Sequence, residues 1–117
     1  MKEFPEFIKN PVNKISTASE YAKGIEGYVF DGIDGSQIAY WTYLEAGQSA
    51  AHTHEFDEYM VVVHGQYTLI IDAKRIPLKA GQEYLIEKGI SHAGEAKVGT
   101  RVIDAFGGKR VKRIGEV

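Results

Sequence analysis

The sequence predicts an all-β domain, a sandwich or a barrel, and three observations carry that expectation. The chain has 117 residues with 13 glycines against three prolines and two methionines, a balance that leans away from a helical bundle. Its apolar residues gather in short runs rich in Val, Ile, Tyr and Thr, several of which alternate in polarity as half-buried strands do. The runs are separated by turn signals: Asp31-Gly32, Asp34-Gly35, Ala46-Gly47, His64-Gly65, Ala80-Gly81, Lys88-Gly89 and Gly107-Gly108.

In chain order, residues 1–36 read as an N-terminal arm with the first strands, 37–106 as the barrel core and 107–117 as a C-terminal segment, all within one domain. In the arm, Phe4, Phe7 and Ile8 read as packing residues. Ser16 to Lys23 supplies a capping-type Ser, Glu20 further along and Gly24 as a stop, which suits one or two helical turns. Strands are expected over 37–44, 58–63, 67–71, 75–78, 83–86 and 100–106. Tyr40, Trp41, Tyr43, Tyr59, Tyr67 and Tyr84 read as core and wall residues, with one or two facing a cavity. The basic run Lys109-Arg110-Val111-Lys112-Arg113 reads as a solvated terminal segment.

Composition excludes several classes of function. A chain that is 44% hydrophobic and 26% charged can bury a core unaided. With no cysteine there is no disulfide, thiolate zinc site, iron–sulfur cluster or cysteine nucleophile, so any metal must be held by His, Asp or Glu. A net charge of -2 does not suit nucleic acid or an anionic membrane. The start, Met1 to Glu6, lacks the pattern of a signal peptide, and no stretch approaches a membrane span, so a cytoplasmic location is expected.

The chemistry concentrates around the histidines. His52 and His54 are separated by one residue, a spacing that on a strand directs both side chains to one face. Glu58 lies four residues after His54 and leads the apolar run Met60 to Val63. Two imidazoles and a carboxylate resemble the facial arrangement that binds divalent transition metals while leaving positions open. His92, in a turn entering another strand candidate, is available as a third imidazole, whereas His64 before Gly65 reads as a strand-end residue. The competing reading of His52 and His54 is an exposed pair on the hydrophilic stretch 50–57.

These residues resemble the cupin family. Its first motif is a Gly, five residues, His-x-His, three or four residues, Glu, six residues and Gly. Here Gly47 is followed by four residues, His52-Thr53-His54, three residues, Glu58, six residues and Gly65. Its second motif is Gly, five residues, Pro-x-Gly, two residues, His, three residues and Asn. Here it reads Gly81, five residues, Glu87-Lys88-Gly89, Ile90-Ser91, His92, three residues and Ala96. Glu87 and Ala96 depart from the motif at positions that carry no ligand. The fifteen residues between the motifs match the short insert of small microbial single-domain cupins.

The resemblance implies a double-stranded β-helix (a jelly-roll barrel) with a metal held inside by His52, His54, Glu58 and His92. Three imidazoles and one carboxylate leave about two open positions on an octahedral ion, and Mn, Fe, Co, Ni, Cu and Zn all suit the donor set. The function expected is a metal-dependent enzyme acting on a small molecule such as a sugar acid or other oxygenated compound, of isomerase, lyase or dioxygenase type. The alternative is a non-catalytic sensor or binding module with the same barrel, since fold does not decide function. The Asp104-x-Phe106-x-x-x-Arg110 pattern is similar to one in small cupins that process unsaturated uronates. It implies Asp104 as general acid or base and Arg110 as the holder of a substrate carboxylate. A surface Asp104 is the competing reading. A homodimer is expected from the apolar arm and because small cupins commonly pair.

Overall fold

The computed structural model describes residues 3–17 and 24–116. Among these, nine strands follow a single 3-10 turn at Pro11–Asn13. They are β1 (Ile25–Asp31), β2 (Gln37–Tyr43), β3 (Gly47–His52), β4 (Glu58–His64), β5 (Gln66–Ile71), β6 (Lys74–Lys79), β7 (Glu83–Ile86), β8 (His92–Ala96) and β9 (Arg101–Phe106). A five-stranded sheet runs β1-β2-β9-β4-β7 and a four-stranded sheet runs β3-β8-β5-β6, with every pairing antiparallel. This is the all-β, double-stranded β-helix architecture that the sequence predicts.

Period-two patterning decides which faces turn inward. In β4, Glu58, Met60 and Val62 are buried while Tyr59 is exposed. In β8, His92, Gly94 and Ala96 are the buried set. One end of the interior is apolar, filled by Met60, Val62, Leu69, Leu78, Ile86 and Val102. β5 and β6 are joined by Asp72-Ala73, both with positive φ (51° and 62°), the backbone form of a tight type I′ hairpin. Gly65 turns β4 into β5 at φ 81°, where a side chain would collide with Thr100.

The N-terminal arm lies on the outer face of the five-stranded sheet. Phe4 and Ile8 are buried against Tyr28, with Phe30, Tyr40 and Ile103 packed around them, while Phe7 is 75% exposed. The Phe4 ring meets Tyr40 edge-on at 5.4 Å between centroids. Arg101 is 1% exposed, with its guanidinium carbon 5.0 Å from the Phe4 ring centre. That cation–π contact offsets part of the cost of burying its charge.

Two expectations need revision or fall outside the described chain. Ser16 and Thr17 are not helical, and the rest of the stretch expected to turn helically, 18–23, lies outside the described residues. The basic C-terminal run is not a solvated tail. Arg113 donates to Asp31 Oδ2 (2.6 Å), the Val29 carbonyl (2.7 Å) and Asn13 Oδ1 (3.2 Å), and Val111 is buried. The partners that hold this segment to the body of the domain are 73 or more residues away in sequence, so composition alone reads it as solvated. No described helix is long and apolar enough to cross a membrane.

Candidate functional site

The site is built where β3 departs from regular pairing. Ser49 is opposite Gly94 and His52 is opposite His92, so three steps on β3 match two on β8. The extra residue is a β-bulge, and a bulge resets which face the following side chain takes. Ser49 and His52, of opposite parity, consequently both line the interior cavity. His54 lies two residues beyond the end of β3, and its ring stacks on Phe56 at 5.5 Å with an interplanar angle of 1°. Gly108 carries no side chain where the Phe56 ring passes, which lets the C-terminal segment cross it.

His52, His54 and His92 each offer a ring nitrogen within 4.8 Å of the others. The His52 Nδ1–H donates to the Ala50 carbonyl (2.8 Å) and the His92 Nδ1–H to the Ile90 carbonyl (3.0 Å). A carbonyl only accepts, so these bonds place the proton on Nδ1 and the lone pair on Nε2. The buried Nε2 atoms of His54 and His92 have no hydrogen-bond partner. Glu58 Oε1 lies 3.2 Å from His54 Nε2 and 3.5 Å from His92 Nε2, near enough for charge interaction but not aligned for a hydrogen bond. Converging buried lone pairs beside a carboxylate are the donor set a divalent cation satisfies, and the backbone bonds to Nδ1 are the outer contacts that fix such rings.

The electrostatics agree with that geometry. Burial alone would raise the Glu58 carboxyl, but its contacts with His54 and His92 outweigh it and bring the group down to about 2. Burial pushes the His92 imidazole down and Glu58 lifts it, leaving it above its ordinary value. Burial holds His52 below its ordinary value, with the neighbouring imidazoles and Arg110 acting in the same direction.

Asp104, 8% exposed on the inner face of β9, lines the same cavity of about 60 Å³, so it is not a surface carboxylate. Arg110 lines this cavity and also the surface hollow bounded by Thr53, Glu55 and Lys109, which places it at the rim. Its guanidinium carbon is 5.8 Å from the centre of the Phe106 ring. Of the six aromatics named from sequence, Trp41, Tyr43 and Tyr67 line the cavity; Tyr40 packs under the arm and Tyr59 is exposed. His64 is the exposed last residue of β4.

Sequence reasoning missed Ser49 and Gln37. Parity hides Ser49 until the bulge is known. Gln37, 3% exposed, accepts from the Arg110 and Val111 backbone N–H groups (2.8 and 3.0 Å) and donates to Asp31 Oδ1 (2.9 Å) and the Val111 carbonyl (3.1 Å). A polar residue at an inward position of an otherwise apolar strand was the available signal.

Residues 39–104 match the Cupin domain family. No curated protein matches the chain. Among solved structures it is similar to KdgF from a Halomonas species, with a TM-score of 0.66 at 19% identity over 75% of this chain and 83% of the other. It is similar also to the polyketide cyclase RemF from Streptomyces resistomycificus, with a TM-score of 0.72 at 16% identity over 100% and 87%. A cupin-2 domain protein from Shewanella frigidimarina gives a TM-score of 0.60 at 24% identity over 71% and 79%. At these identities the likeness speaks for the fold.

Proposed function

We propose that this chain, which belongs to the cupin domain family, is a metal-dependent enzyme acting on a small oxygenated molecule such as a sugar acid. The observation that carries the reading is the convergence of His52, His54 and His92 within 4.8 Å, with the buried, unpartnered Nε2 atoms of His54 and His92 facing Glu58. These four residues hold one divalent transition ion from the series Mn, Fe, Co, Ni, Cu and Zn. The bound ion supplies Lewis acidity to a chelating ligand.

The chain's own residues do the rest. Arg110 at the rim pairs with the carboxylate of the substrate. Asp104 faces the ligand from β9 and moves a proton to or from it. A binding module needs no proton-transfer residue beside its metal ligands, so a buried Asp104 in the cavity favours catalysis over the sensor reading. The reaction is of isomerase, lyase or dioxygenase type.

The protein works in the cytoplasm as a homodimer. Phe4 and Ile8 are consumed within the chain, so the arm offers less apolar surface for pairing than its sequence implies. Support comes instead from Tyr59, Val63 and Leu85, exposed on the outer face of β4 and β7 beyond the residues that the arm covers.

The test is metal analysis of protein purified without affinity metal, then assay of unsaturated uronates with wild type, Asp104→Asn and Arg110→Ala. Turnover by the metal-loaded wild type that both variants lose is the expected result. No turnover removes this substrate class; full activity in both variants removes the assigned roles.

A further inference from the structure

The cavity has a floor as well as a metal wall. In register, Ser49 of β3, Gly94 of β8 and Leu69 of β5 form one row directly below His52 and His92, and Gly47, Ala96 and Tyr67 form the next. Tyr67 starts in the lower row, yet its side chain leans toward the histidines. A Cβ added at Gly94 would overlap the Tyr67 phenol oxygen, so that oxygen occupies the place of a side chain at 94. Same-face neighbours on a strand are about 6.5 Å apart, which sets the hydroxyl beside His92. Glycine in a strand interior weakens it and marks a close approach by another group. Here the group approaching is the phenol.

Ser49 Oγ accepts from the Gly94 N–H at 3.0 Å, which leaves its own hydrogen to donate elsewhere. Tyr67 and Ser49 line the cavity together with Tyr43, whose ring centre is 6.1 Å from that of Tyr67. Burial, with the charges of Asp104 and Glu58, holds both phenols above their ordinary values, so they remain protonated donors at neutral pH.

We propose that Tyr67, with Ser49 and Tyr43, forms a neutral hydroxyl subsite beneath the histidines that binds an uncharged oxygen of the ligand held at the metal. The ligand is therefore a small hydroxy or oxo carboxylic acid with an oxygen beyond its chelating pair. The carboxylates of Glu58 and Asp104 repel a second anionic group from the floor, while Arg110 at the rim attracts the acid end. A cavity of about 60 Å³ restricts the enclosed part of the ligand to a few atoms. The proposal rests on the metal reading above and adds a specificity-determining residue to it.

Calorimetric titration of Ni(II)-loaded protein with D-glycerate and D-lactate tests it. Both acids chelate through a 2-hydroxyl, and only glycerate carries a further hydroxyl. Wild type is expected to favour glycerate. Tyr67→Phe, which keeps the ring, should weaken glycerate about tenfold while leaving lactate and Ni(II) affinity unchanged. Gly94→Ala, which displaces the phenol, should produce the same selective loss. A wild type that does not favour glycerate, or a Tyr67→Phe variant that binds it as tightly as wild type, overturns the subsite. A wild type that takes no Ni(II) overturns the metal reading instead, and the subsite with it.

Discussion

Replacing Gln37 by Leu keeps the volume of a buried side chain and removes every hydrogen bond it makes. The Arg110 and Val111 N–H groups, the Val111 carbonyl and one Asp31 contact lose their partner together. Asp31 keeps Arg113 and stays half in water, so its loss counts little. The two backbone donors have no water to turn to at a site that is 3% exposed, and each buried unsatisfied group costs about 1–3 kcal/mol. The sum is about 2–6 kcal/mol, a large part of the stability of a domain of this size. Urea denaturation of metal-free protein reads the loss as a lower midpoint at unchanged slope. Gln37→Glu supplies a control with a sign: it accepts both N–H groups but puts a second carboxylate beside Asp31 in place of a donor. Its carboxyl is therefore raised on folding, and its deficit against wild type is fully present at pH 7 and shrinks as acid restores the donor hydrogen. A Gln37→Leu variant within about 1 kcal/mol of wild type refutes the reasoning, because the two N–H groups would then have found other partners.

Three further outcomes are expected. The His52→Ala/His92→Ala double variant should retain no divalent metal after dialysis, while His64→Ala, at the exposed end of β4, keeps it; metal content by mass spectrometry decides. In metal-free protein Glu58 lies below the ordinary carboxylate value of 4.5 and His92 above the ordinary imidazole value of 6.5. The lowered carboxyl stabilises fully above 4.5 and loses that as pH falls toward about 2, while the raised imidazole stabilises below 6.5 and loses it as pH rises through its folded value. Glu58→Gln should then destabilise the metal-free protein more at pH 5.5 than at pH 8.5, and equal losses at the two pH values would contradict this pairing. Light scattering at micromolar concentration should return twice the chain mass for wild type and a smaller mass for Leu85→Glu, which charges the uncovered face of β7; a wild-type monomer removes the dimer.

Strands rich in large apolar residues were legible in the sequence, β4 and β9 among them although their inner faces carry Glu58 and Asp104; the bounds of β3 and β8 were not. β4 and β9 alternate as half-buried strands should, and their bounds shift by a residue or so from expectation. β3 (Gly47–His52) and β8 (His92–Ala96) hold Gly, Ala, Ser and His, residues with little strand preference, and owe their form to pairing with each other and with β5. β1 lacks clean alternation because the arm covers its outer side, so Tyr28 and Val29 are buried on opposite faces.

The same division runs through the site. Spacing is a local property, and it brought out His52, His54 and Glu58 because the chain between them is short; His92, 34 residues further on, was joined to them by the second motif. Parity is local too, and it points the wrong way wherever a bulge intervenes: counted from Ser49, His52 belongs to the outer face, and only the extra residue before it turns both side chains inward. The floor of the cavity depends on that displacement, since Ser49 meets Gly94 one row below the paired histidines and Tyr67 fills the space that Gly94 leaves. None of these three residues is a ligand at motif spacing, and each takes its meaning from a strand other than its own. A glycine at an inward position between His92 and Ala96 is the one trace of this arrangement in the sequence. It shows that some group must approach β8 closely, while the register of β5 identifies the group as a phenol.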